Sequence, residues 1–441
     1  ALLVFISSYC GAVAAFSMPP KSVSDRAPFP RLGNCWGADP YITPEMWQYV
    51  GFPNVTNSTW GANGLLYINP FDSCCYRKEM SDWVTLIQTI KRANPSAVVL
   101  ATFHATEIWT NDLVEANKWL PEHCLMRNVG GSLCSWWNNL VFTNNMFLPE
   151  CFEAAINNAL GVLPDLVAAG VDGVFLDGVI DYRNGCQHAD VNCTQPGCSP
   201  TVQPPTAMLE KQWEDLYASW FAALKAKYPK LLWVNNLQDQ IEHSFMSRSN
   251  GRQFEGTAPL GLNNVYNSHI PIGAVVHEVS QWVATSLQPT YVSLHMNSDI
   301  SSKTNWRIGR WQNIVTKGEM MRALTDFRRM RFGLGVALLT DAYFAMDVGG
   351  GFYGVPSWYS EYETGLGQSI KDAVLIANLS GNQEVWLREF EHGVVLVSSF
   401  TQTTYKFTGF KPMQGVKPSA IPEKLSGQRE APAWQFTIDS D

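Results

Sequence analysis

Asp177 and Glu255 are the residues of this chain best suited to do chemistry. Asp177 ends the run Gly170-Val-Asp-Gly-Val-Phe-Leu-Asp, which reads as a helix end, a tight turn, a short buried strand and then a carboxylate. Glu255 stands in a similar place in Arg252-Gln-Phe-Glu-Gly. In a barrel of parallel strands, the C-terminal strand ends carry the reacting groups. Two acids on one rim suit cleavage of a glycosidic bond. That reaction needs a proton delivered to the leaving oxygen and a nucleophile or base on the other face of the sugar ring. We assign Asp177 as nucleophile and Glu255 as acid/base. The reverse stays open, because environment sets each pKa. A carboxyl separation of about 5–5.5 Å would mean retention of configuration, and about 6.5–9.5 Å inversion.

Other polar and aromatic residues follow strand-like runs and could line substrate subsites: Asp72, His104, Glu107, Trp109, Asn235, His295 and Asp341. Each also has an ordinary reading as a loop or core residue. Cys186, His188, Cys193 and Cys198 have the residue types of a zinc site. In a secreted chain they read better as disulfide cysteines, so neither a metal ion nor a cofactor is expected. A nucleophile elbow, a P-loop, a dinucleotide-binding turn and a His-Glu-x-x-His motif are all missing from the sequence.

The elements that must position these residues form an α/β pattern. The 441 residues suit one (β/α)8 TIM barrel plus a smaller module. Strand-like runs occur at 31–36, 64–69, 97–103, 171–177, 231–235, 252–255, 290–294 and 335–340. The third is continuously apolar, as strands covered on both faces are. Helical spacing predicts helices at Met80–Ala93, Pro149–Ala169, 208–228 and 317–331, with Thr206 as a cap and Pro229 as a stop for the third. Eight strands alternating with helices imply a parallel sheet closed into a barrel. Long connections at 104–148 and 178–205 leave C-terminal strand ends, where binding loops belong. Later runs at 385–390, 393–398, 404–408 and 434–438 read as consecutive antiparallel strands. The expected organisation is a signal-peptide remnant at 1–17, a barrel at 25–350, a connecting segment at 351–380 and a β-sandwich-like module at 381–441.

Composition narrows the class. Apolar residues make up 46% and charged residues 16%, which supports a large core and argues against disorder. A net charge of −8 argues against a nucleic-acid partner. The 17 Trp, 15 Tyr and 22 Phe are mostly core, but a share of the Trp suits stacking on sugar faces. Residues 1–17 resemble the apolar region of a secretory signal and are too short for a membrane span. Sequons at Asn54, Asn57, Asn192 and Asn378 agree with secretion. So do the cysteines, nine of ten of which lie between Cys35 and Cys198, with their pairing left open.

Three segments together carry a family resemblance: Gly-Val-Asp-Gly-Val-Phe-Leu-Asp177, Phe-Glu255-Gly and Trp358-Tyr-Ser-Glu-Tyr-Glu-Thr-Gly-Leu-Gly367. The chain resembles the hypothetical glycoside-hydrolase-like barrel proteins over most of residues 30–400. It is more distantly similar to α-galactosidase and polygalactosaminidase barrels. That resemblance implies acids after the fourth and sixth strands, matching Asp177 and Glu255, and a C-terminal β module opening with Trp386-Leu-Arg-Glu-Phe390. The expected partner is a polysaccharide or glycoconjugate, with extracellular assembly as a further partner. The rival expectation is a catalytically inactive extracellular carbohydrate-binding or structural glycoprotein on the same scaffold.

Overall fold

A computed structural model describes residues 29–34, 65–68, 80–93, 95, 97–104, 107–109, 117, 120–126, 133–136, 141–179, 206–237, 246–256, 260–267, 269–297, 326–347, 360–363, 365–378, 383–399, 407–408 and 438–439. Residues 1–17, Asp72, Gly349–Gly351, the sequons at Asn54, Asn57 and Asn192, and the cysteines at 186–198 lie outside them.

The described elements begin with β1 (Gly33–Asn34), β2 (Leu65–Ile68), α1 (Met80–Ala93) and β3 (Val98–His104). An excursion follows, formed by β4 (Glu107–Trp109), β5 (Ser135–Trp136) and β6 (Val141–Thr143). Then come α2 (Pro149–Ala169), β7 (Gly173–Val179), α3 (Thr206–Lys227), β8 (Leu232–Leu237) and β9 (Gly251–Phe254). The series ends with α4 (Leu262–Tyr266), α5 (Ile272–Thr285), β10 (Ser293–Asn297), α6 (Phe327–Leu338) and β11 (Tyr343–Asp347). Eight strands form one curled sheet in the order β1-β2-β3-β7-β8-β9-β10-β11, and every neighbouring pair is parallel. A parallel bridge between Leu32 and Phe344 joins the two ends of this order, and Phe344 N donates to Arg31 O at 2.9 Å.

Side-chain alternation sorts the sheet into two faces. Tyr67, Leu100, Phe175, Val234, Tyr291, Tyr343 and Ala345 pack together inside the curl. Val99, Ala101, Val174, Leu176, Trp233, Phe254, Leu294 and Met296 pack instead with the helices. The helices present stripes to that outer face. Trp83, Ile87 and Ile90 of α1 are fully buried, as are Trp213, Tyr217, Trp220 and Leu224 of α3. Five tryptophans (Trp83, Trp213, Trp220, Trp233 and Trp282) are therefore core residues. Helix α2 starts with Pro at its first turn and stops at Gly170, whose φ of 116° is a left-handed conformation that favours glycine.

One expected strand is a helix. Residues 335–340 belong largely to α6, and the eighth strand is β11, beginning at Tyr343. A short apolar run cannot by itself separate strand from buried helix. The Asp326 side chain accepts from Arg329 N at 3.1 Å and starts the helix. Gly333 is no turn signal either. A Cβ there would lie 2.5 Å from Met296 Sδ and 2.8 Å from Phe344 Cε2, so the glycine lets helix and sheet approach closely. The helix expected at 317–331 overlaps α6 only at its end, and its first part lies outside the described residues.

Beyond the curled sheet, β12 (Val374–Asn378), β13 (Glu384–Phe390) and β14 (Gly393–Ser398) form an antiparallel sheet in that order. Strand β12 lies inside the segment expected only to connect. The exposed sequon residue Asn378 ends it. The last two strands, β15 (Phe407–Thr408) and β16 (Ile438–Asp439), pair parallel rather than antiparallel. Arg388 of β13 ties its sheet to the end of α6, donating to Leu338 O at 3.2 Å, to Thr340 O and to Asp341 Oδ1 at 2.7 Å. Glu384 accepts from Gly273 N at 2.6 Å, satisfying a free N–H in the first turn of α5. Among the described residues no helix is long and apolar enough to cross a membrane.

Candidate active site

Strands β3 and β7 pair so that His104 lies beside Asp177. Both fall near the C-terminal ends of their strands. The pairing of β7 with β8 shifts register between Leu176 and Val179, in the stretch that includes Asp177. Bulges re-aim side chains and are frequent beside active sites. Here Asn236 Nδ2 donates to Asp177 Oδ1 at 2.9 Å. The other carboxylate oxygen lies 3.7 Å from His104 Nδ1, and Glu107 Oε2 lies 3.6 Å from the same nitrogen.

Three of the expected site residues, His104, Glu107 and Asp177, thus meet in one buried cluster. Glu107 comes from the excursion after β3, where it pairs with Thr143 in the antiparallel sheet β4-β6-β5. A disulfide, Cys124–Cys151, fastens that excursion to the first turn of α2. Cys134 is disulfide-bonded as well.

The electrostatics follow from this enclosure. Burial pushes the Asp177 carboxyl up to about 6, because charge is costly away from water. His104 pulls it down, the negative charges of Glu107 and Glu255 push it up, and the Asn236 hydrogen bond lowers it. Glu255 therefore lies close enough to act on Asp177 through space. Tyr217 of α3 is raised well above the ordinary tyrosine range by burial and by the charge of Asp177.

Glu255 sits one residue after β9. Its backbone is tightly enclosed. A Cβ on Gly256 would lie 2.5 Å from Asn297 Oδ1, and one on Gly261 would lie 2.2 Å from Glu255 O. Asn263 and Asn297 complete the enclosure. Asn263 Nδ2 donates to Asn297 Oδ1 at 3.3 Å, and Asn297 N donates back to Asn263 Oδ1 at 3.3 Å.

Other expected residues fall elsewhere. Asn235 neighbours Trp233 in parity and faces the helices, whereas Asn236 shares the inner parity of Val234. The strand expected at 231–235 extends two residues further, to Leu237, and a two-residue step from Val234 along it reaches Asn236. His295 is fully buried on the inner face, two residues beyond Ser293, whose Oγ lies 2.8 Å from Tyr67 Oη. Asp341 precedes β11 instead of following the eighth strand. In a parallel sheet this puts it at the end opposite Asp177, where it holds Arg388. There Arg388 Nη2 donates to Asp341 Oδ1 at 2.7 Å. Trp109 closes β4, pairing with Val141. Among the described residues, ligand atoms of His123, Cys124 and Cys151 lie within 4.8 Å of one another. The disulfide removes both thiolates from that group.

A curled sheet of eight parallel strands, with carboxylates gathered near its C-terminal strand ends, is the arrangement of a glycoside-hydrolase-like protein. The chain belongs to the family described as hypothetical glycosyl hydrolase family 15, whose model matches residues 91–394. That match spans His104, Glu107, Asp177 and Glu255. Among solved structures, the chain is similar to the glycoside hydrolase domain of PelA from Pseudomonas aeruginosa, at 11% identity and TM-score 0.36, over 62% of this chain and 85% of that one. It is also similar to a noncanonic maltogenic alpha-amylase, AmyB, from Thermotoga neapolitana, at 9% identity and TM-score 0.46, over 84% and 85%. A third is Amy13B of Eubacterium rectale, at 10% identity and TM-score 0.43, over 86% and 88%. The chain matches no curated protein.

Proposed function

We propose that this protein is a secreted glycoside hydrolase on a complete (β/α)8 barrel, with a small C-terminal β module and a polysaccharide or glycoconjugate as substrate. Asp177 is the nucleophile and Glu255 the acid/base. The observation that carries this reading is the electrostatic link between the two. Glu255 raises Asp177 although 78 positions separate them, so two acids from different strands share one field. An Asp177 midpoint of about 6 leaves roughly nine in ten carboxylates ionised at pH 7, as a nucleophile needs. The Leu32–Phe344 bridge supports closure of the barrel. The Cys124–Cys151 disulfide supports an oxidising, extracellular setting.

A second reading is a catalytically silent carbohydrate-binding or structural glycoprotein. The depth of Asp177 beside His104 and Glu107 favours it, because a carboxylate held inward among charged neighbours also serves structure. The test compares wild type, Asp177→Asn and Glu255→Gln on a panel of glycans. Each variant is expected to lose hydrolysis by about three orders of magnitude or more. Turnover equal to wild type in both variants would remove the assignment. A wild type that binds a glycan and never cleaves it would support the second reading.

A further inference from the structure

We propose that His104 is a positioning residue for Asp177, a buried imidazolium shared between the carboxylates of Asp177 and Glu107. The proposal rests on the glycosidase reading only for its purpose, since its physical content is a charge arrangement.

The geometry is specific. One ring nitrogen, Nδ1, faces Glu107 Oε2 at 3.6 Å and Asp177 Oδ2 at 3.7 Å. The side chains of His104, Glu107 and Asp177 are only 4%, 3% and 12% exposed. With so little surface, His104 has almost no face to offer a sugar, which separates this role from substrate binding. Two carboxylates so close and so dry repel each other, and buried charges persist when they are paired. A neutral ring would remove the positive charge that His104 brings to bear on Asp177. A protonated ring halves the local charge, and its cost of burial is offset by two opposite charges at once.

The remaining groups around Asp177 add to the need. Glu255 beyond β9 and Glu107 on β4 act on it with negative charge, and Tyr217 on α3 responds to it. Asn236 on β8 contributes a neutral donor to Oδ1. Among the described residues, His104 is the group that acts on Asp177 with positive charge. It is also rigidly placed, as the last residue of β3 in direct register with Asp177.

The test reads protonation directly and needs no substrate. Protein carrying carboxyl-13C aspartate is titrated by NMR, and the Asp177 resonance is identified by its loss in Asp177→Asn. The wild-type midpoint is expected at about 6. In His104→Gln it is expected to rise by about one unit or more, a tenfold fall in the carboxylate-to-acid ratio at a given pH. His123→Gln, at an exposed ring paired with Glu150, should leave the midpoint in place. An unmoved midpoint in His104→Gln overturns the proposal. A second measurement uses wild type alone, so a variant that fails to fold cannot protect the idea. Nitrogen-15 shifts of the His104 ring should show two protons at pH 7, and a neutral tautomer there overturns the proposal equally. If wild type cleaves no glycan while the midpoint still moves, the hydrolase reading fails and the role of His104 stands. If Asp177-dependent hydrolysis is found and the midpoint stays put, only the role of His104 fails.

Discussion

The side-chain amide of Asn236 donates to Oδ1 of Asp177 at 2.9 Å, where the pairing of two neighbouring strands shifts register. That bond favours the ionised carboxylate. Removing it by Asn236→Ala is expected to raise the Asp177 midpoint by about one unit. Hydrolysis by this variant should therefore fall about fivefold near pH 6, approaching about tenfold below pH 5, and change little at pH 8. Rates for the variant and wild type across pH 5–9 check this.

The wild-type pH profile follows from the same carboxyl. Burial holds Asp177 up at about 6, so its reactive, ionised form is lost as pH falls through that value. kcat/KM is expected to decline about tenfold per pH unit on the acid side. A profile that instead declines above pH 6 would assign Asp177 as the proton donor, and Glu255 as the nucleophile.

Gly256 controls where Glu255 stands. A Cβ there would lie 2.5 Å from Asn297 Oδ1 and 3.1 Å from His295 O, so Gly256→Ala must displace this turn. A misplacement of about 1 Å is expected to cost about a hundredfold in kcat. Circular dichroism should show a retained fold, which separates lost alignment from lost stability.

Arg388 is expected to matter for stability and not for turnover. Its guanidinium is buried and serves Leu338 O, Thr340 O, Asp341 and Ser369 together. Arg388→Ala leaves Asp341 without this partner and should cost about 3–5 kcal/mol of unfolding free energy. Urea unfolding followed by tryptophan fluorescence measures it. The folded fraction should keep its specific activity.

The Cys124–Cys151 disulfide closes a loop with a sequence separation of 27 that holds β5 and β6, the latter paired with β4 and its Glu107. Cys151→Ser is expected to lower stability by about 2–4 kcal/mol. A downward shift of the urea midpoint under non-reducing conditions, relative to wild type, checks this.

The sequence by itself determined much of this protein. The apolar run at the third strand and the helical stripes at Met80–Ala93 and Pro149–Ala169 were legible because burial imposes a local period on side chains. The place of Asp177 near the end of a buried strand was legible because the apolar run Val174–Leu176 leads straight into it. Tertiary structure decided the rest. Whether residues 335–340 were strand or helix depended on how closely Gly333 lets α6 approach the sheet. Asn236 rather than Asn235 reaches Asp177 because side chains alternate and the register shifts between strands. Asp341 passed from the expected rim to an ion pair at the other end because the true last strand starts after it. The joining of His104 with Glu107 and Asp177 required the chain to turn back after β3 and strands distant in sequence to pair. Local periodicity carries no record of such meetings, since the energy that selects them arises only when the parts are packed.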